Sequence, residues 1–375
     1  MNRRVVRYAL HLLILLGLLP GLTGCTNPLS RSLPSEEAPV ANEITIYTPM
    51  TSDRIAPYLQ LFSAEHPDIQ VNVVFIATGN MLDRLLAEQE APQADIVWGL
   101  SVTVATLLQW HDLITPYSPE GVERIYAQFR DTERIPNWVG FGAWMSVFCV
   151  NPALLAEHQL PRPETWENLF DPIYAGHLAL PSPTTSGTGA MIIDSILDRH
   201  GAIEGWNHLD ALDSNVKVYT ITNSRPCEMV ADGEIAIGAS AELAPIELAA
   251  SGKPIETIFP TGGTGWDIEA NALVRRDEVK DAAKLFLDWA ISDNAMREYG
   301  KTRSLLAMDL DGYVPPYRFP QEPLALIYDK DFPWASANRD RTVAEWVSRY
   351  GAKIEQGASN GEQDISIDQY LRETE

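Results

Sequence analysis

Positive charge is scarce in this sequence: 28 lysines and arginines face 51 aspartates and glutamates, a formal net charge of −23. Such a field repels phosphodiester backbones and anionic lipid, which excludes nucleic acid and an anionic membrane face as partners. Catalytic signatures are also missing. There is no His-Glu-x-x-His, no Walker loop and no Gly-x-Gly-x-x-Gly, and Gly-Ala-Ser-Ala-Glu at 238–242 lacks the last glycine of a nucleophile elbow. The seven histidines are scattered, with no second ligand at a metal-binding spacing. Neither an enzyme, a metal centre nor a cofactor is therefore expected. Cysteine is limited to Cys25, Cys149 and Cys227, with no Cys-x-x-Cys. Cys149 lies in the apolar run Val-Phe-Cys-Val-Asn and reads as a buried, inert thiol. An oxidising compartment would also let it pair with Cys227, 78 positions on, and the sequence leaves that open.

Long apolar runs are confined to one, residues 9–22, too short to span a bilayer comfortably. Arg3, Arg4 and Arg7 precede it, the layout of a secretory signal. It is followed by Leu22-Thr23-Gly24-Cys25, which resembles the lipobox of bacterial lipoproteins. That resemblance implies cleavage after residue 24, acylation of the Cys25 sulfur and a membrane anchor on the extracytoplasmic side. Residues 25–42, rich in Ser, Pro, Glu and Asn, read as a flexible tether. The roughly 330 residues that remain suit two domains or one bilobed unit.

Strand and helix patterns alternate along them. Strands are expected at 43–48, 69–76 and 94–100, with a helix after the first carrying Ile55, Tyr58, Leu59 and Phe62 on one face and another at 80–89. A second series has strands at 176–182, 216–221, 234–239 and 268–274, and helices at 189–200, 241–252 and 281–292. This alternation predicts an α/β fold with mostly parallel sheets and helices on both faces. The apolar segments 141–150 and 268–274 read as passages between two lobes, and the last eighty residues as helices covering the first. The resulting division is 43–141 for the first part of lobe 1, 142–267 for lobe 2, and 268–375 for the completion of lobe 1.

Hydroxyls and glycines recur after the strands, where helix N-termini point in open α/β sheets. They include Thr51, Thr78 and Gly79, the run Thr185-Ser186-Gly187-Thr188, and Ser224 with Arg225. Each loop also suits a plain helix cap. The run at 185–188 has more hydroxyl than one cap needs, and a helix N-terminus there can hold an anion without a lysine or arginine. At the opposite pole Asp267 and Glu269, two apart on one side of a strand, are placed to take an ammonium group, with a solvated strand end or a paired structural acid as the alternative. Tyr47, Trp98, Trp144 and Trp266 lie at strand ends, where aromatic walls would shape a pocket, although each taken singly reads as core.

Ile-Thr-Ile-Tyr-Thr at 44–48, the stretch 85–101, Thr-Ser-Gly-Thr-Gly-Ala at 185–190, 225–234 and 259–274 resemble the substrate-binding lipoproteins of ABC importers. The likeness runs from about residue 43 to about residue 300, in the ferric-ion and phosphonate-binding branch, and most resembles proteins assigned to 2-aminoethylphosphonate. It implies a two-lobed periplasmic-binding-protein fold of type II with a hinge, and a monomer that delivers an organophosphonate to permease and ATPase subunits. A sugar phosphate or other organophosphate is the alternative, ferric ion the third. The iron branch depends on adjacent tyrosines where this chain has Ala241, Glu242 and Leu243, so iron is disfavoured. A secreted phosphate-ester hydrolase is the reading from a different class; it lacks a nucleophile–base pair and a metal cluster.

Overall fold

The structure, a computed structural model, describes residues 42–316 and 318–356. Cys25, the signal and the tether lie outside the described residues. Eleven strands form one sheet: β1 Glu43–Thr48, β2 Gln70–Phe75, β3 Ile96–Ser101, β4 Ile114–Thr115, β5 Val139–Val150, β6 Leu178–Pro181, β7 Val216–Thr220, β8 Ile237–Ala241, β9 Glu256–Ile258, β10 Trp266–Val274 and β11 Leu305–Leu306. Ten helices cover it: α1 Ser52–Glu65, α2 Met81–Ala87, α3 Val102–Trp110, α4 Pro152–Glu157, α5 Gly187–Asn215, α6 Arg225–Ala231, α7 Leu243–Ala250, α8 Asp281–Trp289, α9 Asp293–Tyr299 and α10 Phe332–Tyr350.

The main strand order is β2-β1-β3-β10-β5-β8-β6-β7. Two parallel trios, β2-β1-β3 and β8-β6-β7, are joined through β10 and β5, which run antiparallel to their neighbours. The sheet is thus mixed, because a chain that passes between trios and returns must run both ways. β5 makes the passage in one strand. Its residues through Val147 belong to one apolar core, which also holds residues from β1 to α3 and from β10 to Leu310. Phe148 and Val150 belong to a second core with β6, α5 and β8.

Local sequence explains most of the elements. In β1, Ile44 and Ile46 alternate into the first core, and the α1 stripe Ile55, Tyr58, Leu59 and Phe62 packs beneath them. α3 follows β3 without a loop and is buried on all sides from Val102 to Leu108. The first segment of α5 ends where the 189–200 expectation put it, because Gly201, at φ 73°, breaks the helical backbone; a second helical segment then continues to Asn215. α10 departs from the expectation that the C-terminal region covers the first lobe. It packs on both α3 and α5, and Trp346 and Tyr350 at its end enter the second core.

Cys149 is not a free thiol. It is bonded to Cys227, because β5 and the first turn of α6 bring their Cα atoms to 5.6 Å, within the range a disulfide spans.

Candidate functional site

A cleft opens where the loops after β2 and β6 meet the start of α3, with α10 across it. From the β2 side come Thr78 and Gly79, in a short 3₁₀ turn. From the β6 side come Ser186 and Gly187, the start of α5. The two loops touch: a Cβ on Gly79 would lie 3.2 Å from the Thr184 carbonyl, and one on Gly187 would lie 3.6 Å from the Thr78 side chain. Ser186 caps α5 by accepting from the Gly189 N–H at 3.3 Å. The N–H groups of Gly187 and Thr188, in the first turn, have no acceptor inside the helix and carry its positive end.

Ser101 and Thr103 add hydroxyls at the start of α3, and Arg339 of α10 adds a cation. The Arg339 side chain is only 15% exposed, and among the described residues its one partner is the solvated carboxylate of Asp340, at 3.1 Å. Asp194, on the cleft-facing side of α5, closes the list of charges with Asp267. Burial pushes the Asp194 carboxyl up to about 7; Lys330 and Arg339 pull it down less than that, while Asp267 and Asp198 add to the rise.

Of the residues expected from sequence, the cleft gathers Thr78, Gly79, Ser186, Gly187 and Asp267. The others are elsewhere. Thr51 is exposed and makes no cap bond. Thr185 is exposed and donates to the Ile221 carbonyl at 2.7 Å, tying the loop before α5 to the loop after β7. Thr188 is buried beneath the helix start. Ser224 precedes α6 without a side-chain cap bond, and Arg225 pairs with Glu234 at 3.2 Å on the surface.

The two acids expected to take an ammonium are both committed to the fold. Asp267 accepts from Val102 N–H at 3.0 Å, the Thr103 hydroxyl at 2.7 Å and its neighbour's N–H, so it caps α3 from another strand. The buried Lys330 ammonium stands 3.5 Å from it. Glu269 is buried against Arg303, with Arg54 at 3.4 Å. Burial alone would raise its carboxyl, but Arg303 and then Arg54 outweigh that and hold it below the ordinary carboxylate range. Arg303 also donates to the Tyr58 hydroxyl at 2.8 Å and lies over the rings of Phe141 and Tyr299. A charge so enclosed has no face for a ligand.

The aromatic walls are likewise structural. Tyr47 is buried and donates to Glu88; Trp98 is buried and donates to the Tyr299 hydroxyl at 3.3 Å. Trp266 is buried between Phe129 and Phe332, with its indole N–H on the Tyr328 carbonyl. Trp144 is half-buried on β5 and does not line the cleft. Strand-end aromatics fill these cores because each trio must be covered on both faces.

Sequence reading missed Ser101, Thr103, Asp194 and Arg339. The first two follow a strand and carry the same hydroxyl signal as the loops that were found. Asp194 is an acid inside the apolar run Met-Ile-Ile-Asp-Ser-Ile-Leu, a detectable anomaly. Arg339 lies far along the chain with no local mark.

A βαβ frame with its cleft at strand carboxyl ends and one strand, β5, running through both cores suits capture of a solute. Residues 47–297 match the family described as bacterial extracellular solute-binding protein. The chain belongs to that family. It is 28% identical over 266 residues to the probable ABC transporter periplasmic-binding protein y4fP of Sinorhizobium fredii, covering 69% of this chain and 72% of that one. Among solved structures it resembles the periplasmic binding protein AfuA of Actinobacillus pleuropneumoniae with fructose 6-phosphate bound, at TM-score 0.74 and 23% identity over 82% of this chain and 98% of AfuA. It resembles iron-bound HitA of Pseudomonas aeruginosa at 0.71 and 16%, over 81% and 98%. At these identities the structures establish the periplasmic-binding-protein fold for this binding protein. Family membership makes it an extracytoplasmic solute-binding protein, and among its described residues no helix is long and apolar enough to cross a membrane.

Proposed function

We propose that this binding protein is the capture subunit of an ABC importer, and that its ligand is a small organic phosphate or phosphonate. The observation that carries the reading is the meeting of a free helix N-terminus, the Thr78 and Ser186 side chains and the Arg339 guanidinium in one cleft of an otherwise acidic molecule. The fold shared with a protein that holds fructose 6-phosphate supports it, as does the likeness to a probable ABC-transporter component. 2-Aminoethylphosphonate is one member of this class and has no special claim, since Asp267 and Glu269 are already partnered. Ferric ion is disfavoured. Glu242 stands where the iron branch has tyrosine, and it is buried with its carboxylate on the Met145 N–H. The two lobes close on the ligand by bending β5 and β10, and the Cys25 lipid keeps the protein at the membrane beside its permease and ATPase.

Calorimetry of the purified protein with fructose 6-phosphate, 3-phosphoglycerate, 2-aminoethylphosphonate, inorganic phosphate and ferric citrate tests the ligand class. At least one organic phosphate or phosphonate is expected to bind. Arg339→Gln is expected to weaken it at least tenfold, since a hydrogen bond to a charged group contributes about 1.5–3 kcal/mol. Binding of ferric citrate alone, or tight phosphate binding indifferent to Arg339→Gln, would sink the reading.

A further inference from the structure

The buried acids of this protein fall into two groups. Asp95 is held by Lys280 at 2.8 Å and Arg276 at 3.1 Å, Asp267 by the start of α3, Glu269 by Arg303, and Glu242 by a backbone N–H. Asp194 alone has no such partner. It is 3% exposed, lines the cleft, and among the described residues receives no hydrogen bond and makes no ion pair. Placing a carboxyl there is costly, and the Lys330 and Arg339 charges offset only part of the cost.

Its position on α5 is specific. Gly187, Ala190, Met191 and Asp194 all line the cleft. They follow the i, i+3, i+4, i+7 spacing of a single helix face. That face forms a floor with the helix N-terminus at one end and a carboxyl at the other. Seven residues at 1.5 Å each separate the ends by about 10 Å, a little less once the side chain's tilt toward the N-terminus is allowed for. A phosphoryl group seated on Gly187 and Arg339 would therefore direct the far end of a short carbon skeleton along this face toward Asp194.

We propose that Asp194 is the specificity-determining residue of the cleft, accepting a hydrogen bond from a hydroxyl or ammonium group at the end of the ligand remote from its phosphoryl or phosphonyl anion. This rests on the reading of the cleft as a site for organic phosphates or phosphonates. The groups facing Asp194 are Lys330 and Tyr328 from the segment before α10, Arg339 on α10, Asp267 on β10 and Asp198 on its own helix. None of them makes a hydrogen bond to it.

Matched ligands test it by calorimetry on the full-length mature protein: glycerol 3-phosphate against propyl phosphate for the hydroxyl, and 3-aminopropylphosphonate against propylphosphonate for the ammonium. Wild type is expected to prefer the donor-bearing member of at least one pair by tenfold or more. In Asp194→Leu, which keeps the side chain's bulk and removes its acceptors, the ratio of donor-bearing to donor-free affinity is expected to fall below threefold. Asp194→Asn, the gentler change, should abolish an ammonium preference and keep part of a hydroxyl preference, which separates the two donors. An unchanged preference in both variants overturns the proposal, and so does a wild type that favours neither donor. Loss of donor-bearing and donor-free ligands alike in Asp194→Asn, with its melting temperature intact, also overturns it. A wild type that binds none of the four ligands sinks the anion reading itself, a failure already visible before any Asp194 variant is made.

Discussion

At the scale of single residues, burial decides more than charge type. Asp194 and Glu242 are both pushed up to about 7, each by burial first, from ordinary values of 3.8 and 4.5. A raised value means the folded state holds the proton more tightly than the unfolded chain does. Their contribution to stability is therefore complete below about pH 4, falls as pH rises, and is gone above about pH 7. For Asp194 the loss between pH 5 and pH 8 is roughly 2–3 kcal/mol. Urea unfolding of wild type and Asp194→Asn at the two pH values should show the variant gaining on the wild type by about that amount at pH 8. Parallel pH dependence of the two would mean the carboxyl is solvated and the account of it is wrong. Glu269 shows the reverse case. It is as deeply buried, yet Arg303 keeps it ionised. Sequence made Asp267 and Glu269 look like a pair with one job, since two residues apart on a strand share a side. Their partners, Lys330 and Arg303, come from beyond residue 300 and were invisible in the local pattern.

At the scale of elements, the start of α5 shows how tightly the proposed anion end is built. Gly→Ala inside a helix ordinarily stabilises by about 0.5–1 kcal/mol. At Gly189 the sign should invert, because a Cβ would lie 2.6 Å from the Pro181 carbonyl oxygen and 2.6 Å from the Ser182 carbonyl carbon, both backbone. Gly189→Ala is expected to cost about 1–3 kcal/mol in chemical denaturation and to weaken phosphate-ester binding, since the loop that must move carries Ser186. Unchanged stability would show that the loop is not packed on the helix start as described. The outer elements were legible because each has two unlike sides: the α1 stripe and the alternation in β1 point one way into the core. α3 was not. A helix buried all round has no polar side to set its period, and Val102–Leu108 continues the apolar run of β3 without a break.

At the scale of the whole molecule, two cores share β5, and the cleft lies where α5 and α3 face each other under α10. Binding needs only this folded part, so Cys25→Ser should release the protein into the soluble fraction of its own cells while leaving ligand affinity within about twofold. Continued tight membrane association of that variant, measured by fractionation and detergent extraction, would defeat the lipid-anchor proposal. The sequence by itself determined the α/β class, the family resemblance and the loops from which half the cleft is made. Those follow from period, composition and short-range order, which a chain carries locally. Tertiary structure alone decided which acids were spent on the fold and which one was left unpartnered, that Cys149 meets Cys227, and that Arg339 reaches the cleft. Each of these depends on what a distant segment brings to within a few ångströms, and the energy of a buried charge is set by those neighbours rather than by its own place in the chain.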